Sequence, residues 1–385
     1  MKSAFAAPAR LPPPAYYPAL TGVRAVAAYL IFFFHLAQTT PEINGWFRAF
    51  VLQWHVGVSI FFVLSGFLIT QRYAQRIQPT GRWALRYLQN RFARIYPVYF
   101  LLTAGSFLLF SRWPHHAFYE WPLDYGLGPK ATILFFNLTL TRGYFQDLSY
   151  TGLPTAWSLT VEETFYLVAP LILLHWRGQW WRLAGYPVVF LIVGGGLVAL
   201  CSRVALPFRP MAGLPFMLSL TFFGRSTEFV LGMALSLWLG PRPTPSPGRG
   251  RFTAAGVSSV LLFLAIAARA QALGPDAPLH HSSYAAIFAN HFVFPLLVCV
   301  VFYGLLTERT LVRRVLETRL FALAGRSSYV LYLIHLGVFN DWFTIHVSST
   351  IFVKLLTYSL VSVVLYKTIE QPLQQRLRAR DAPQL

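Results

Sequence analysis

The stretch LTGVRAVAAYLIFFFHLAQ, Leu20 to Gln38, is long and apolar enough to cross a bilayer, yet it carries Arg24 near one end and His35 near the other. Eleven residues turn an α-helix by about 1100°, so both side chains lie on one face, about 16 Å apart along the axis. An ionisable group inside a membrane span usually faces a protein interior or a wet cavity. The pair predicts a polar seam in the membrane; alternatively, Arg24 reaches the lipid headgroups and His35 is a packing residue.

The composition is that of a membrane protein. Of the 385 residues, 56% are hydrophobic and 12% are charged, whereas soluble domains carry about 25% charged residues. The net charge of +19 is spread between apolar runs, which favours cationic loops facing anionic lipid over nucleic-acid binding. The first nineteen residues lack a separate apolar core and predict no cleavable signal peptide. Cys201 and Cys299 match no metal-ligand spacing, so neither a disulfide framework nor a metal site is expected.

Ten segments approach the roughly 20 residues that a bilayer crossing requires, and they predict an all-α polytopic membrane helical bundle in a single domain, residues 1–385. These segments are 20–38, 51–71, 95–111, 157–176, 184–202, 221–240, 253–272, 286–306, 324–341 and 350–369. An eleventh candidate, 131–146, is shorter and is interrupted by Asn137, Arg142 and Gly143.

The distribution of Lys and Arg decides whether 131–146 crosses. If it does not, and the N-terminus is cytoplasmic, twenty Lys and Arg residues lie on the cytoplasmic side and six on the outer side, as the positive-inside rule expects. If 131–146 crossed, every later loop would lie on the opposite side of the membrane, and the excess of Lys and Arg on one side would largely vanish. The sequence therefore predicts a re-entrant or interfacial segment at 131–146 and cytoplasmic tails at 1–19 and 371–385. The sequence has four Lys and 28 Arg, a ratio typical of GC-rich bacterial genes. We therefore expect the protein in a bacterial inner membrane.

A cluster of arginines precedes the third predicted span, which begins RFARIYPVY at Arg91. Arg91 and Arg94 share one helical face, and Arg82 and Arg86 lie just upstream. Guanidinium groups match phosphate oxygens with paired hydrogen bonds. The cluster predicts binding of a phosphate-bearing metabolite at the cytoplasmic mouth of the bundle; the alternative is a set of ordinary membrane anchors.

Two predicted spans carry carboxylates. The fourth, AWSLTVEETFYLVAP, contains adjacent Glu162 and Glu163, which point about 100° apart and so cannot serve one partner equally. A bare carboxylate there is costly unless paired or protonated, so we expect an Arg or His partner from another span, in a functional seam or in a structural ion pair. In the sixth span, Arg225 and Glu228 are three residues apart and are predicted to pair.

Further polar candidates lie in the second and ninth predicted spans. The second, HVGVSIFFVLSGFLIT (55–70), has small residues that allow close helix packing, namely Gly57, Ser59, Ser65 and Gly66. In GRSSYVLYLIHLGV (325–338), Tyr332 and His335 share a helix face. Additional candidates for the seam are Ser59, Ser65, Trp157, Glu163, Tyr332 and His335. Near the end, the Pro of IEQP (369–372) predicts a helix stop at the surface.

The ordered set Arg24-x10-His35, GVSIFFVLSGFLIT, RFARIYPVY, WSLTVEETFYLVAP, SSYVLYLIHLGV and IEQP resembles the acyltransferase-3 family of integral-membrane O-acyltransferases. The similar motifs run from the first span to the last. Members of that family have about ten spans and move an acyl group, usually acetyl, from a cytoplasmic coenzyme A thioester to an extracytoplasmic hydroxyl. The resemblance implies acetyl-CoA or another acyl-CoA as donor, and a glycan, lipid-linked sugar or small molecule as acceptor.

The resemblance also implies roles for individual residues. Arg24 and His35 match the family's catalytic pair. Many members have an acid after the Gly-Val of the second span, where this chain has Ser59. If that acid polarises the catalytic histidine, another group must do so here, and we expect Glu162.

In this interpretation Arg91 and Arg94, with Arg86 beside them, hold the donor phosphates. Neutral His35 then acts as general base on the acceptor hydroxyl, or becomes acylated itself. Two other functions fit the polar seam: a transporter or flippase that uses intramembrane His, Arg and Glu as a substrate or proton path, and a non-catalytic membrane scaffold.

Overall fold

The computed structural model describes residues 16–39, 43–112, 125–176, 178–241, 243, 250–273 and 283–379. Residues 1–15 and 380–385 of the two predicted tails lie outside the described residues. Throughout the described ranges the chain forms helices joined by turns, and no β-strand occurs there. The predicted all-α bundle is confirmed.

Thirteen of the helices in the described ranges organise the bundle. They are α1 Pro18–Thr39, α2 Gly57–Tyr73, α3 Gly81–Arg112, α4 Leu127–Leu138, α5 Trp157–Trp176, α6 Trp180–Cys201, α7 Phe222–Leu239, α8 Arg251–Ala272, α9 Phe294–Thr307, α10 Arg319–Ile334, α11 Val338–His346, α12 Ile351–Leu365 and α13 Gln371–Leu377. The short helical segments between them are Gly45–Val51, Leu52–Val56, Arg142–Tyr144, Pro154–Ala156, Leu214–Leu220, Tyr284–Phe288, Ala289–Val293, Leu311–Leu316 and Tyr366–Glu370.

Eight helices of the described chain are long and apolar enough to cross a membrane, and a bent pair raises the number to nine. The eight are Pro18–Thr39, Gly45–Tyr73, Gly81–Ser111, Pro154–Trp176, Trp181–Cys201, Arg251–Ala272, Tyr284–Thr307 and Ile351–Leu377. The helix α7, within predicted span 221–240, is not among them, because Arg225 and Glu228 lower its hydropathy. Most of α7 is buried, so its surroundings are protein and it needs no lipid-facing apolar surface.

The helices α2 and α7 run parallel to each other. Ser59, near the start of α2, donates a hydrogen bond to Glu228 at 2.9 Å, and Gln71, near its end, donates to the Gly240 carbonyl at 2.8 Å. Three helices that could cross lie between them in the chain, and one more crossing would make α2 and α7 antiparallel. The interpretation that 131–146 does not cross is therefore confirmed.

Buried polar groups end α4 inside this segment. Asn137 is fully buried and donates to the Ile133 carbonyl at 3.0 Å and to the Thr151 hydroxyl at 2.8 Å. Arg142, also fully buried, follows in a 3-10 turn and donates to the Leu153 carbonyl. These bonds fold the chain back on itself, because buried polar groups need partners.

The predicted span 324–341 is not a single helix. The helices α10 and α11 meet at 86°, with His335 as the C-cap of α10 and Gly337 at φ +83°. Only glycine adopts this left-handed backbone readily. The sharp turn leaves His335 at the tip of α10.

The predicted stop at IEQP is wrong. The helix passes through a π turn, Tyr366–Glu370, into α13, and α13 packs beside α3, where Gln89 donates to the Leu377 carbonyl at 3.0 Å. Pro372 is accommodated because it lies just after the π turn, where the regular hydrogen-bond ladder of the α-helix is already interrupted.

Glycines allow the closest approach between α2 and α7. A Cβ on Gly66 would overlap the Phe229 carbonyl oxygen, and one on Gly232 would overlap that of Val63. Gly57 likewise lies against Ala27 of α1. The close packing predicted for these small residues is confirmed for Gly57 and Gly66, and it brings the polar side chains of neighbouring helices within hydrogen-bond distance.

Candidate active site

A central cavity of about 420 Å³ lies among α1, α2, α3, α5 and α10. At one end it is lined by Tyr17, Arg72 and Gln374, which lie near helix ends, and at the other by Phe61 and Tyr332. Its volume is within the roughly 300–1,000 Å³ of small-molecule sites. Both ends of the described chain lie on the Tyr17 and Gln374 side, which we call the basic face.

The wall of the central cavity is strongly cationic. Its lining includes one carboxylate, Glu162, and five guanidinium groups, those of Arg24, Arg72, Arg91, Arg94 and Arg326. Excess positive charge in a low-dielectric cleft concentrates anions. The cavity is therefore suited to a ligand that carries several negative charges.

Arg91 is held by aromatic rings. Its Cζ atom lies 5.7 Å from the ring centre of Tyr73, 6.0 Å from that of Tyr87 and 5.4 Å from that of Tyr166. Its side chain also donates to the Tyr73 hydroxyl at 3.4 Å, while its buried Nε has no hydrogen-bond partner among the described residues. These rings orient the guanidinium without neutralising it.

Arg94 and Arg24 differ in their charge environment. Arg94 forms an ion pair with Glu370, and its Cζ lies 5.7 Å from the ring centre of Tyr329. Arg24 has no hydrogen bond or ion pair with the described residues, although Arg94, Glu370 and Glu162 act on it electrostatically. Arg24 therefore presents a cation to the cavity with its donors available.

The two carboxylates of α5 have hydroxyl partners. Glu162 accepts hydrogen bonds from Ser65 at 2.5 Å and from Tyr166. Glu163 accepts one from Tyr96 and does not line the cavity. Among the described residues no Arg or His hydrogen-bonds to either carboxylate, because hydroxyls on α2, α3 and α5 fill that role. The expected arginine counter-charge is present for Glu162 at longer range, since Glu162 acts electrostatically on Arg24 of α1 and on Arg94 of α3.

His35 pairs with His335. The Nδ1 atom of His35 lies 3.0 Å from Nε2 of His335 and 3.0 Å from the Ile31 carbonyl oxygen, and Nδ1 of His335 lies 3.0 Å from the Leu331 carbonyl oxygen. A carbonyl only accepts, so we assign the proton of each ring to Nδ1. His335 Nε2 then accepts from His35, and His35 Nε2 keeps its lone pair. The expectation that Glu162 polarises His35 is wrong.

The central cavity ends short of the two histidines. Tyr332 lines its inner end, and the ring centres of Tyr332 and His335 are 6.0 Å apart. On the α2 side the cavity reaches Val58. The preceding residue, Gly57, contacts Ile31 of α1, and Ile31 lies one helical turn before His35. A single layer of side chains therefore separates the cavity from the histidine pair.

A second polar cluster is buried between α2, α7 and the π turn Ala289–Val293. Glu228 accepts from Ser59 at 2.9 Å, from Arg225 at 3.0 Å and from His291, whose Nδ1 is 3.1 Å away. The predicted pairing of Arg225 with Glu228 is confirmed. Ser59 thus belongs to this cluster instead of the cavity wall. Trp157 lies beside this cluster, and the centre of its ring is 5.8 Å from the Cζ atom of Arg225.

The structure brings together half of the predicted site residues. Those that line the cavity are Arg24, Ser65, Arg91, Arg94, Glu162 and Tyr332. Arg86 is exposed on α3 and does not line the cavity, so its role beside the donor stays a prediction.

Sequence reasoning missed Tyr166, Arg326 and His291. Tyr166 follows Glu162 by one helical turn, a spacing at which side chains meet, so its contact with Glu162 was detectable. Arg326 directly precedes the SSYVLYLIHLGV motif. His291 lies in a π turn, and no simple pattern predicts that turn from the sequence.

A polytopic helical bundle with a cationic cavity that points towards a paired imidazole suits a membrane protein that binds an anionic ligand. The chain belongs to the acyltransferase-3 family, whose model, described as "Acyltransferase domain", matches residues 17–367. Its family and its apolar helices identify it as a membrane protein of the acyltransferase class. The resemblance inferred from the ordered motifs is confirmed.

Individual relatives agree with this assignment. The acyltransferase MdmB of Streptomyces mycarofaciens is 26% identical over 94% of this chain and 93% of its own length. The peptidoglycan O-acetyltransferase OatA of Listeria monocytogenes is 29% identical over 41% of this chain, and an uncharacterized protein of Haemophilus influenzae is 38% identical over 30%. These matches cover 24% of OatA and 48% of the Haemophilus protein. No solved structure matches the chain.

Proposed function

We propose that the protein moves an acyl group, acetyl in the first place, from cytoplasmic acyl-CoA to a hydroxyl of an extracytoplasmic glycan, lipid-linked sugar or small molecule. The observation that carries the proposal is the pairing of His35 with His335, one side-chain layer beyond a cationic cavity. The names of MdmB and OatA support an acyl transfer, and OatA's name describes O-acetylation.

The cavity wall supports a coenzyme A donor. Arg24 and Arg91 present guanidinium donors without ion-pair partners among the described residues, and phosphate oxygens would occupy them. The narrow pantetheine arm would follow the cavity inward from the basic face, which is the cytoplasmic side by the positive-inside rule. The thioester then lies at the inner end, beside Tyr332.

The histidine pair supports general-base catalysis. The acceptor hydroxyl donates its proton to Nε2 of His35 as its oxygen attacks the thioester carbonyl. The resulting imidazolium is stabilised by His335 Nε2, which accepts the Nδ1 hydrogen of His35. The tetrahedral intermediate then releases the coenzyme A thiolate, which takes the proton from His35. The products are an ester and free coenzyme A.

The reaction itself is tested with the purified protein in proteoliposomes. Labelled acetyl-CoA is supplied in the solution that contacts the basic face, and a bacterial envelope glycan extract serves as acceptor. We expect free thiol and a labelled, alkali-sensitive ester in equal amounts, identified by mass spectrometry. Liposomes without protein give neither product. Movement of solute across the bilayer without ester formation would instead support a transporter.

A substitution of Arg24 tests the donor site. We expect Arg24→Ala to raise the Kd for coenzyme A by about 10- to 150-fold, because a hydrogen bond to a charged group contributes about 1.5–3 kcal/mol. Titration calorimetry of protein in nanodiscs measures this Kd. The control is Arg203→Ala, which removes an exposed arginine beyond the C-terminal end of α6. An equal Kd in the two variants would remove Arg24 from the donor site.

A further inference from the structure

We infer that Phe61 closes the inner end of the central cavity and limits the transferred acyl group to short chains. This inference rests on the proposed function, since it assumes that the donor enters from the basic face with its thioester leading. Phe61 would then be a specificity-determining residue for the acyl group.

One wall of the inner end is fixed by hydrogen bonds. The Tyr332 hydroxyl bonds the Ser158 hydroxyl at 2.7 Å and donates to the Thr155 carbonyl at 2.9 Å. Tyr332 is buried, so it has little freedom to rotate away. A chain that enters the cavity cannot displace this ring without breaking both hydrogen bonds.

Phe61 forms the opposite wall. Its ring centre lies 6.1 Å from that of Tyr332, with the planes at 65°, and its side chain is half-buried. No hydrogen bond holds a phenyl ring, and none of its atoms is charged. Phe61 is therefore the adjustable member of the pair, and its ring occupies the space into which an acyl chain would extend.

Phe62, the next residue, closes the cavity on the side that faces α7. Phe62 is buried and stacks on Phe229, with ring centres 4.5 Å apart. The Arg225 Cζ lies 5.0 Å from the centre of the Phe62 ring. The floor of the cavity is therefore continuous with the Ser59–Arg225–Glu228–His291 cluster, and an apolar chain gains nothing by approaching these charges.

The charge distribution indicates which end of the cavity holds the acyl group of the donor. Arg72 and Phe61 both line the cavity from α2, eleven residues apart, which is about 16 Å along the helix. The phosphates belong with the arginines, so the acyl group belongs at Phe61. One methylene in an apolar pocket changes selectivity by about 10- to 200-fold, so one ring can set the chain length.

The test measures binding, because binding needs no acceptor. Coenzyme A and two of its stable thioethers, S-ethyl-CoA and S-octyl-CoA, are titrated into protein in nanodiscs. We expect the ratio of the Kd for S-octyl-CoA to that for S-ethyl-CoA to fall at least about tenfold in Phe61→Ala relative to wild type. Partition of the octyl chain into lipid is the same for both proteins, so it cancels when the ratio of the variant is compared with that of wild type.

Leu68→Ala is the matched control. Leu68 lines the same cavity from the same helix, two turns closer to the basic face, so its truncation adds space away from the acyl end. We expect it to keep the wild-type ratio. A ratio that stays unchanged in Phe61→Ala, or falls equally in Leu68→Ala, would overturn the role of Phe61.

The outcomes separate this inference from the proposed function. If wild type fails to bind coenzyme A, the donor assignment fails and the acyl-length role falls with it. If coenzyme A binds but the ratio of Phe61→Ala matches wild type, only the acyl-length role fails. Should Phe61→Ala not fold, Phe61→Leu replaces it, with S-butyl-CoA as the long ligand and the same expected direction.

Discussion

Replacement of His35 by alanine is expected to lower kcat for acyl transfer by about 10²- to 10⁴-fold, the contribution of a positioned general base. The Nδ1 contacts with Ile31 and His335 leave Nε2 of His35 as the basic nitrogen. Alanine removes this base without adding volume or charge, so the helix α1 remains intact. Coenzyme A release by the purified protein with an envelope glycan acceptor measures the effect.

Two further substitutions make the His35 result specific. His175→Ala removes an exposed histidine of α5 that bonds Tyr186 and should retain wild-type kcat. His335→Ala should lower kcat less than His35→Ala, because it removes the partner that orients the base and keeps the base itself. Full activity of folded His35→Ala, with coenzyme A binding retained, would contradict general-base catalysis by this residue.

The sequence was sufficient for the helical architecture and for the cationic wall. Apolar segments and the Lys and Arg bias predict the spans and the fate of 131–146, since both reflect transfer energies that each segment carries by itself. Arg24 was likewise identifiable because a guanidinium group within a span is rare, and Arg91 and Arg94 because they share one helical face in an arginine cluster.

The partner of each polar side chain was not predictable in the same way. His335 was a candidate from its own motif, but its contact with His35 depends on the parallel packing of α10 beside α1, which joins residues 300 positions apart. Glu162 illustrates the same limit. A carboxylate in a span suggests an Arg or His counter-charge, and Glu162 does act electrostatically on Arg24 and Arg94. Its hydrogen bonds come from Ser65 and Tyr166, whose uncharged hydroxyls do not stand out in the sequence.

The buried cluster between α2 and α7 leads to the second large expected effect, on stability. Glu228 is fully buried and accepts hydrogen bonds from three side chains, those of Ser59, Arg225 and His291. Glu228→Ala leaves the Arg225 guanidinium buried without its counter-charge. Removal of one partner of a buried ion pair costs about 3–5 kcal/mol, so we expect a loss of this size in the free energy of unfolding, measured by denaturant titration in bicelles.

The control for Glu228→Ala is an ion pair at the surface. Glu317→Ala breaks the half-exposed pair of Glu317 with Arg313, and such pairs contribute about 0–1 kcal/mol. The double variant Arg225→Met with Glu228→Leu removes both charges and should recover much of the lost stability, because the penalty arises from the unpaired cation. Two results would contradict a stabilising role of the cluster between α2 and α7. One is a loss of unfolding free energy in Glu228→Ala no larger than in Glu317→Ala, and the other is a double variant no more stable than Glu228→Ala.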